Sequence, residues 1–227
     1  MTQIVAEMIE AARQLVSSGL VTGAGGNISV RDGDHMWISP SGFSLEDARQ
    51  EHYPCISVAS GDIVAGEFRP SSEVLMHLYV YRVRSDVNAI FHAHPKMTNA
   101  LCCAGHDLRA IFADYYVYLG GNVPHVPYVT VTTPELASVV EREFKAPDCK
   151  GMVLRNHGTI TVGASVKEAA FRTYAMEEQA FIQWHALQVG EPTYLTEEEC
   201  AKLDALGSEE YRRQLLAEMK MTARDRP

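Results

Sequence analysis

Ala89-Ile90-Phe91-His92-Ala93-His94-Pro95 is an apolar run that carries two histidines one residue apart and closes on a proline. Successive side chains of a strand point to opposite faces, so Ile90, His92 and His94 line one side while Ala89, Phe91 and Ala93 line the other. Two imidazoles then stand side by side at a strand end. A second apolar run, Gly151-Met152-Val153-Leu154-Arg155-Asn156-His157-Gly158, reads as a strand running into a loop that carries His157. A lone histidine beside apolar residues is ordinarily a satisfied core side chain. Three at strand ends read differently: neutral imidazole suits zinc and its first-row neighbours, and catalytic zinc takes three protein ligands and keeps one position open.

The surrounding pattern is that of one α/β domain spanning residues 1–227. Ile4, Val5, Met8, Ile9, Ala12, Leu15 and Val16 recur at helical spacing over residues 2–18, and Gly19 stops the pattern. Short alternating runs at Asn27–Val30, Met36–Ser39 and Cys55–Val58 read as strands, separated by Gly, Asp and Pro. Helices are expected over Val74–Tyr81, Lys96–Ala104, Pro134–Phe144, Ser165–Val189 and, by composition, Thr196–Met221. Tyr115–Tyr118 reads as extended, and Gly120-Gly121-Asn122 as a turn into Pro124–Thr132. No repeat or low-complexity tract interrupts the chain.

Composition narrows the function. Lys and Arg total 20 against 29 Asp and Glu, a formal charge of −9 with no basic block, which argues against nucleic acid as a partner. No stretch approaches 18 uninterrupted apolar residues and the start lacks a signal-peptide pattern, so no membrane association and a cytoplasmic location are expected. Five cysteines, Cys55, Cys102, Cys103, Cys149 and Cys200, lack C-x-x-C spacing and are expected as buried thiols in a reducing compartment.

Two further segments bear on anion binding. Pro70-Ser71-Ser72-Glu73 precedes a helix, where hydroxyls and unpaired N–H groups suit a phosphate, although the serines equally suit helix capping. Glu73 either complements the helix dipole in the first turn or is the acid/base group of the site. Gly23-Ala24-Gly25-Gly26-Asn27-Ile28-Ser29 and Ser39-Pro40-Ser41-Gly42 are glycine loops that let backbone N–H groups approach an anion, and neither matches the Rossmann or P-loop pattern.

Taken in order, "GGNIS", "SPSG", "PSSE" with His77 four residues on, "AIFHAHP", "GGNVPHVPY" and "RNHG" resemble the class II aldolase/adducin family. The resemblance implies a central, mostly antiparallel sheet flanked by helices and a C4 homotetramer with sites between subunits. It implies His92, His94 and His157 as ligands of Zn2+, with Mn2+ or Co2+ as alternatives, and Glu73 as the proton-transfer base. Asn27, Ser41, Gly42, Ser71 and Ser72 match the family's substrate-phosphate cradle. His77, His106, His125 and His185 are expected to tolerate alanine better than the ligand histidines.

One departure bears on the chemistry. Where the family's fuculose-phosphate aldolases place a tyrosine six residues before the Gly-Gly pair, this chain has Asp114, in "FADYYVYLGG". The related 4-epimerases carry an aspartate in a comparable place, but favour Asp where this chain has Glu73. The expected reaction is metal-dependent cleavage of a short ketose 1-phosphate to dihydroxyacetone phosphate and an aldehyde, with Asp114 or Tyr115 serving the C4 oxygen. The aromatic "ADYYVYLGG" segment favours 5-deoxyribulose 1-phosphate or 5-methylthioribulose 1-phosphate. L-Ribulose-5-phosphate 4-epimerase, methylthioribulose-1-phosphate dehydratase and a non-catalytic adducin-like module are the rivals.

Overall fold

A computed structural model describes residues 3–219. The amphipathic helix α1 (Gln3–Ser17) buries Val5, Met8, Ala11, Ala12 and Leu15 along one face. It ends in a Schellman motif: Gly19 sits at φ +71°, its N–H reaches the Val16 carbonyl, and Leu20 N–H reaches that of Leu15. Three strands follow, β1 (Asn27–Asp32), β2 (His35–Ile38) and β3 (Cys55–Ser57), and then a short, exposed β4 (Ile63–Ala65). Helix α2 (Val74–Val83) leads to β5 (Ala89–Ala93), α3 (Lys96–Cys103), α4 (Ala113–Leu119) and β6 (His125–Val126). The chain continues through α5 (Pro134–Phe144), the hairpin β7 (Gly151–Leu154) and β8 (Gly158–Gly163), the long α6 (Val166–Val189), α7 (Glu197–Asp204) and α8 (Gly207–Glu218).

The strands form one sheet in the order β4-β3-β2-β1-β5-β8-β7-β6, antiparallel throughout except for the parallel β6/β7 pair. Each face has its own core. Ala89, Phe91 and Ala93 of β5 pack with α1 and α6, whereas Ile90 packs on the opposite face with α2 and α5. The alternation expected for β5 is therefore observed, and it sends His92 to the α2 side. Among the described residues no helix is long and apolar enough to cross a membrane.

Helix α5 begins and ends where the sequence places it, because Thr133 accepts from Leu136 N–H and Pro134 occupies the first turn. Ser165 caps α6 in the same way, accepting from Glu168 N–H. The expected extended segment at Tyr115–Tyr118 is instead part of helix α4. Tyr115, Val117 and Leu119 are buried and mimic a period of two, but Tyr115 and Leu119 are four residues apart and enter a core shared with α3 and α6. Tertiary packing overrides the β preference of tyrosine and valine here. Arg172 of α6 further fixes the helix by donating to the Tyr118 carbonyl at 3.0 Å.

Other differences are smaller. Thr159–Gly163, which the sequence reading leaves unassigned, forms β8 at the centre of the sheet. Of the expected buried thiols, Cys55, Cys102 and Cys149 are buried, whereas Cys103 is exposed and Cys200 half-exposed. The helical tail is broken between α7 and α8 at Leu206, and residues 220–221 of that expected helix, like Thr2 of the first, lie outside the described residues.

Candidate metal centre

The adjacent central strands β1, β5 and β8 bring the site together. Asn27 on β1 lies in register opposite His92 on β5, and Ala93 lies opposite Thr159 on β8. His94 follows the end of β5, and α3 starts two residues later. Glu177 of α6 holds that start, accepting from the backbone N–H groups of Met97 and Thr98 and from the Thr98 hydroxyl. His157 occupies the turn of the β7/β8 hairpin beside Asn156, whose left-handed backbone (φ +59°) an asparagine tolerates. Asn99 of α3 donates to the His157 carbonyl at 3.2 Å, so the two loops that carry His94 and His157 are tied to each other.

Glu73, His92, His94 and His157 converge, with their candidate ligand atoms all within 4.8 Å of one another. His92 Nε2 lies 3.0 Å from His94 Nε2 and 3.1 Å from Glu73 Oε2, and His157 Nε2 lies 3.0 Å from Glu73 Oε1. Ligand bonds of roughly 2.0–2.1 Å set tetrahedrally give ligand–ligand edges of about 3.3 Å, close to these spacings.

The tautomers fit a cation as well. His92 Nδ1 faces the Thr159 carbonyl at 2.9 Å, and a ring nitrogen beside an acceptor must carry the proton. The Nε2 of neutral His92 is then a lone pair aimed at the other donors, the arrangement that orients metal-binding histidines. Burial, with His92 and His157 adding to it against the pull of Glu73, lowers the pKa of His94 to about 4. Burial also opposes ionisation of Glu73, but His92 and His157 overcome it and hold the carboxyl well below the usual carboxylate range. A buried carboxylate converging with three imidazoles is a donor set that fits a divalent ion.

Two glycines are required for this approach. Gly26 sits at φ +69°, and a Cβ there would fall 2.5 Å from Val21 Cγ1 and 2.9 Å from the His92 carbonyl. A Cβ on Gly158 would lie 2.7 Å from His94 Cδ2. The glycine loops thus press against the histidines as well as lining a cleft.

That cleft, about 100 Å³, is bordered by Asn27, Ser41, Gly42, Ser71, Ser72 and Glu73, with His94 at its edge. The residues expected as a phosphate cradle therefore share one cavity, adjoining the histidine cluster. Glu73 is not inside the first turn of α2. It is the N-cap residue, makes no capping hydrogen bond, and turns its carboxylate to the histidines. Neither serine caps the helix conventionally; the Ser71 hydroxyl accepts from Glu73 N–H at 3.3 Å.

Asp114 is not part of the cluster. It lies exposed in the first turn of α4, 3.5 Å from Arg212 of α8. Tyr115 is buried, and its hydroxyl has no partner among the described residues. Cys102 and Cys103 take no part in the cluster either.

His77, expected from the sequence to tolerate alanine, contacts the site through Asn27. It is fully buried, with one ring nitrogen 2.5 Å from Asn27 Oδ1 and the other 2.6 Å from Ser29 Oγ, while Asn27 Nδ2 donates to Glu73 Oε2 at 3.0 Å. Burial above all, reinforced by His92 against Glu73, lowers its pKa to about 3. The available signal was its spacing: Glu73 and His77 are four residues apart, on one face of a helix.

Residues 6–184 match the model of the Class II Aldolase and Adducin N-terminal domain. The 5-deoxy-D-ribulose 1-phosphate aldolase of Bacillus thuringiensis serovar kurstaki is 34% identical over 200 residues, 87% of this chain and 92% of that protein. The 5-methylthioribulose-1-phosphate/5-deoxyribulose-1-phosphate aldolase of Rhodospirillum rubrum is 33% identical across 86% of this chain and 87% of its own. A solved L-fuculose 1-phosphate aldolase superposes with a TM-score of 0.84 at 30% identity, covering 93% of this chain and 97% of that one.

Proposed function

The chain belongs to the class II aldolase/adducin family, and on that premise we propose that it cleaves a short ketose 1-phosphate to dihydroxyacetone phosphate and an aldehyde. The observation that carries this reading is the convergence of Glu73 with His92, His94 and His157 beside a cleft lined by serines and glycine. The three histidines would hold a divalent ion, zinc in the first instance. When bound, the ion supplies Lewis acidity toward the substrate's carbonyl and hydroxyl oxygens.

The protein's own groups do the rest. Ser41, Ser71, Ser72, Asn27 and the Gly42 backbone take the phosphate, placing C3 beside Glu73. In the condensation direction the ionised Glu73 removes a proton from C3 of dihydroxyacetone phosphate, and in cleavage its protonated form delivers a proton to C3 once the C3–C4 bond has broken. A second group must receive the proton of the C4 hydroxyl. Between Asp114 and Tyr115, the exposed Asp114 is the one that a neighbouring subunit's site can reach.

The size of the cleft supports a shared site. Ligand pockets run to roughly 300–1,000 Å³, so about 100 Å³ receives a phosphate and leaves the sugar to be enclosed by another surface. A C4 homotetramer with Asp114 supplied across the interface meets that need. Five free cysteines accord with a reducing, cytoplasmic setting.

5-Deoxyribulose 1-phosphate and 5-methylthioribulose 1-phosphate are the favoured substrates, supported by the names of two relatives. Incubation of the zinc-loaded protein with a panel of ketose phosphates tests the proposal. Release of dihydroxyacetone phosphate with acetaldehyde or methylthioacetaldehyde is expected. Loss of water without carbon–carbon cleavage, or C4 epimerisation of ribulose 5-phosphate, would replace this reading with the dehydratase or the epimerase.

A further inference from the structure

Helix α2 and strand β1 meet with matched spacing. Glu73 and His77 are four residues apart on the helix, a rise of about 6 Å; Asn27 and Ser29 are two apart on one face of the strand, a rise of about 6.6 Å. Each helix residue therefore meets a strand residue: Glu73 meets Asn27, and His77 reaches both Asn27 and Ser29. The Tyr81 hydroxyl, another turn along α2, stands 3.0 Å from Ser29 Oγ and closes the buried end.

Donor chemistry gives this chain a direction. An ionised carboxylate only accepts, so Asn27 must offer Glu73 its amide nitrogen, and its oxygen is left facing His77. His77 Nε2 must then carry the ring proton. Its Nδ1 is left as an acceptor, and the Ser29 hydroxyl spends its one proton there, so that Tyr81 OH is the donor in its own contacts with Ser29. Reversing any one link would put two donors or two acceptors face to face.

We propose that His77 is a positioning residue of the reaction: as the neutral Nε2–H tautomer it locks the Asn27 amide, and through it the Glu73 carboxylate, in the orientation that faces His92 and the substrate. The chain does not conduct protons, because a protein amide does not readily pass one on. Its work is orientation, comparable to the outer-shell partners of metal ligands, whose loss costs roughly 10–100-fold. Glutamine can replace the ring, since its amide nitrogen can donate to Asn27 and its oxygen can accept from Ser29; leucine can do neither.

The inference rests on the reading of Glu73 as the base, which Glu73→Gln tests separately. Three measurements test the inference itself: steady-state kinetics with metal content of His77→Leu and His77→Gln, and 15N spectra of histidine-labelled, metal-free protein. H77L is expected to bind metal normally and to lower kcat about 10–100-fold. H77Q is expected to restore most of kcat, and the spectra to show His77 protonated on Nε2. Wild-type kcat in folded H77L, a folded H77Q as impaired as H77L, or a proton on Nδ1 would each overturn it. If H77L does not fold, H77Q and the tautomer decide the matter.

Discussion

Asn27 and His92 face each other in register across β1 and β5, so the amide that holds Glu73 and one of the two imidazoles beside that carboxylate are placed by one strand pairing. A slip of one residue in that pairing would turn Asn27 to the opposite face, toward α1. Glu73 and the candidate ligand histidines are thus coupled by sheet register.

Glu73→Gln separates the two roles its position allows. A residue that only complemented the helix dipole would cost at most about 1 kcal/mol on removal of its charge. As the base, its replacement should lower kcat by roughly 10² to 10⁴-fold while the fold persists. Exchange of the C3 proton of dihydroxyacetone phosphate with solvent deuterium, followed by NMR, needs the base and the metal but no aldehyde. It should be suppressed in E73Q, and exchange at the wild-type rate would move the role elsewhere.

Ser72→Ala probes the phosphate cradle more cleanly than Ser71→Ala. Ser72 is exposed to the cleft, whereas the Ser71 hydroxyl also accepts from Glu73 N–H. A hydrogen bond to a charged group contributes about 1.5–3 kcal/mol, and S72A should raise KM for a phosphorylated ketose accordingly with kcat little changed. S71A should affect both constants. Equal losses on a phosphorylated ketose and an unphosphorylated analogue would identify the serines as structural.

Sites built from two subunits can be complemented. If Asp114 serves a neighbour, a tetramer mixed from E73Q and Asp114→Asn chains regains some sites with both groups intact. Random assembly of equal amounts around a fourfold ring gives about a quarter of wild-type sites. Each variant alone should be nearly inactive, and the activity of the mixture after dissociation and reassembly is the measurement. No recovery would place both groups in one chain or remove Asp114 from the reaction.

The buried histidines make the metal-free protein sensitive to acid. His94 and His77 have folded pKa values of about 4 and 3 against an ordinary 6.5, so between those limits the unfolded chain binds more protons than the folded one. Stability is therefore complete above pH 6.5 and falls as the pH drops toward 4 and then 3. The depressed carboxyl of Glu73 has the same sign lower on the scale, its contribution lost as pH falls through its folded pKa. Thermal melts of chelator-treated protein should show Tm declining over this range. Zinc at neutral pH should raise Tm, since it binds the folded state, and His94→Ala should abolish that rise together with metal binding.

Much of the local structure was legible in residue order. The period of α1, the Thr133-Pro134 start of α5, the alternation of β5 and the glycines around Asn27 are set by neighbours a few residues away, and each announces itself in a short window. The same windows identified His92, His94 and His157 as candidates, because strand ends and spacing are local properties. What no window contains is the partner across space. Tyr115–Tyr118 became helical because α6 and the Leu101 core receive it, a contact between segments some 60 residues apart. Glu73, which the sequence allows as a dipole-complementing residue of the first turn, instead faces the histidines and meets Asn27 of β1 across 46 residues of chain. His77, marked in sequence only by its spacing from Glu73, meets its partners only where strand register sets Asn27 and Ser29 beside it. Sequence determines which side chains an element can offer. The long-range pairing of strands and the packing of helices on the sheet decide which of those offers meet, since hydrogen-bond direction and burial exist only once both partners are in place.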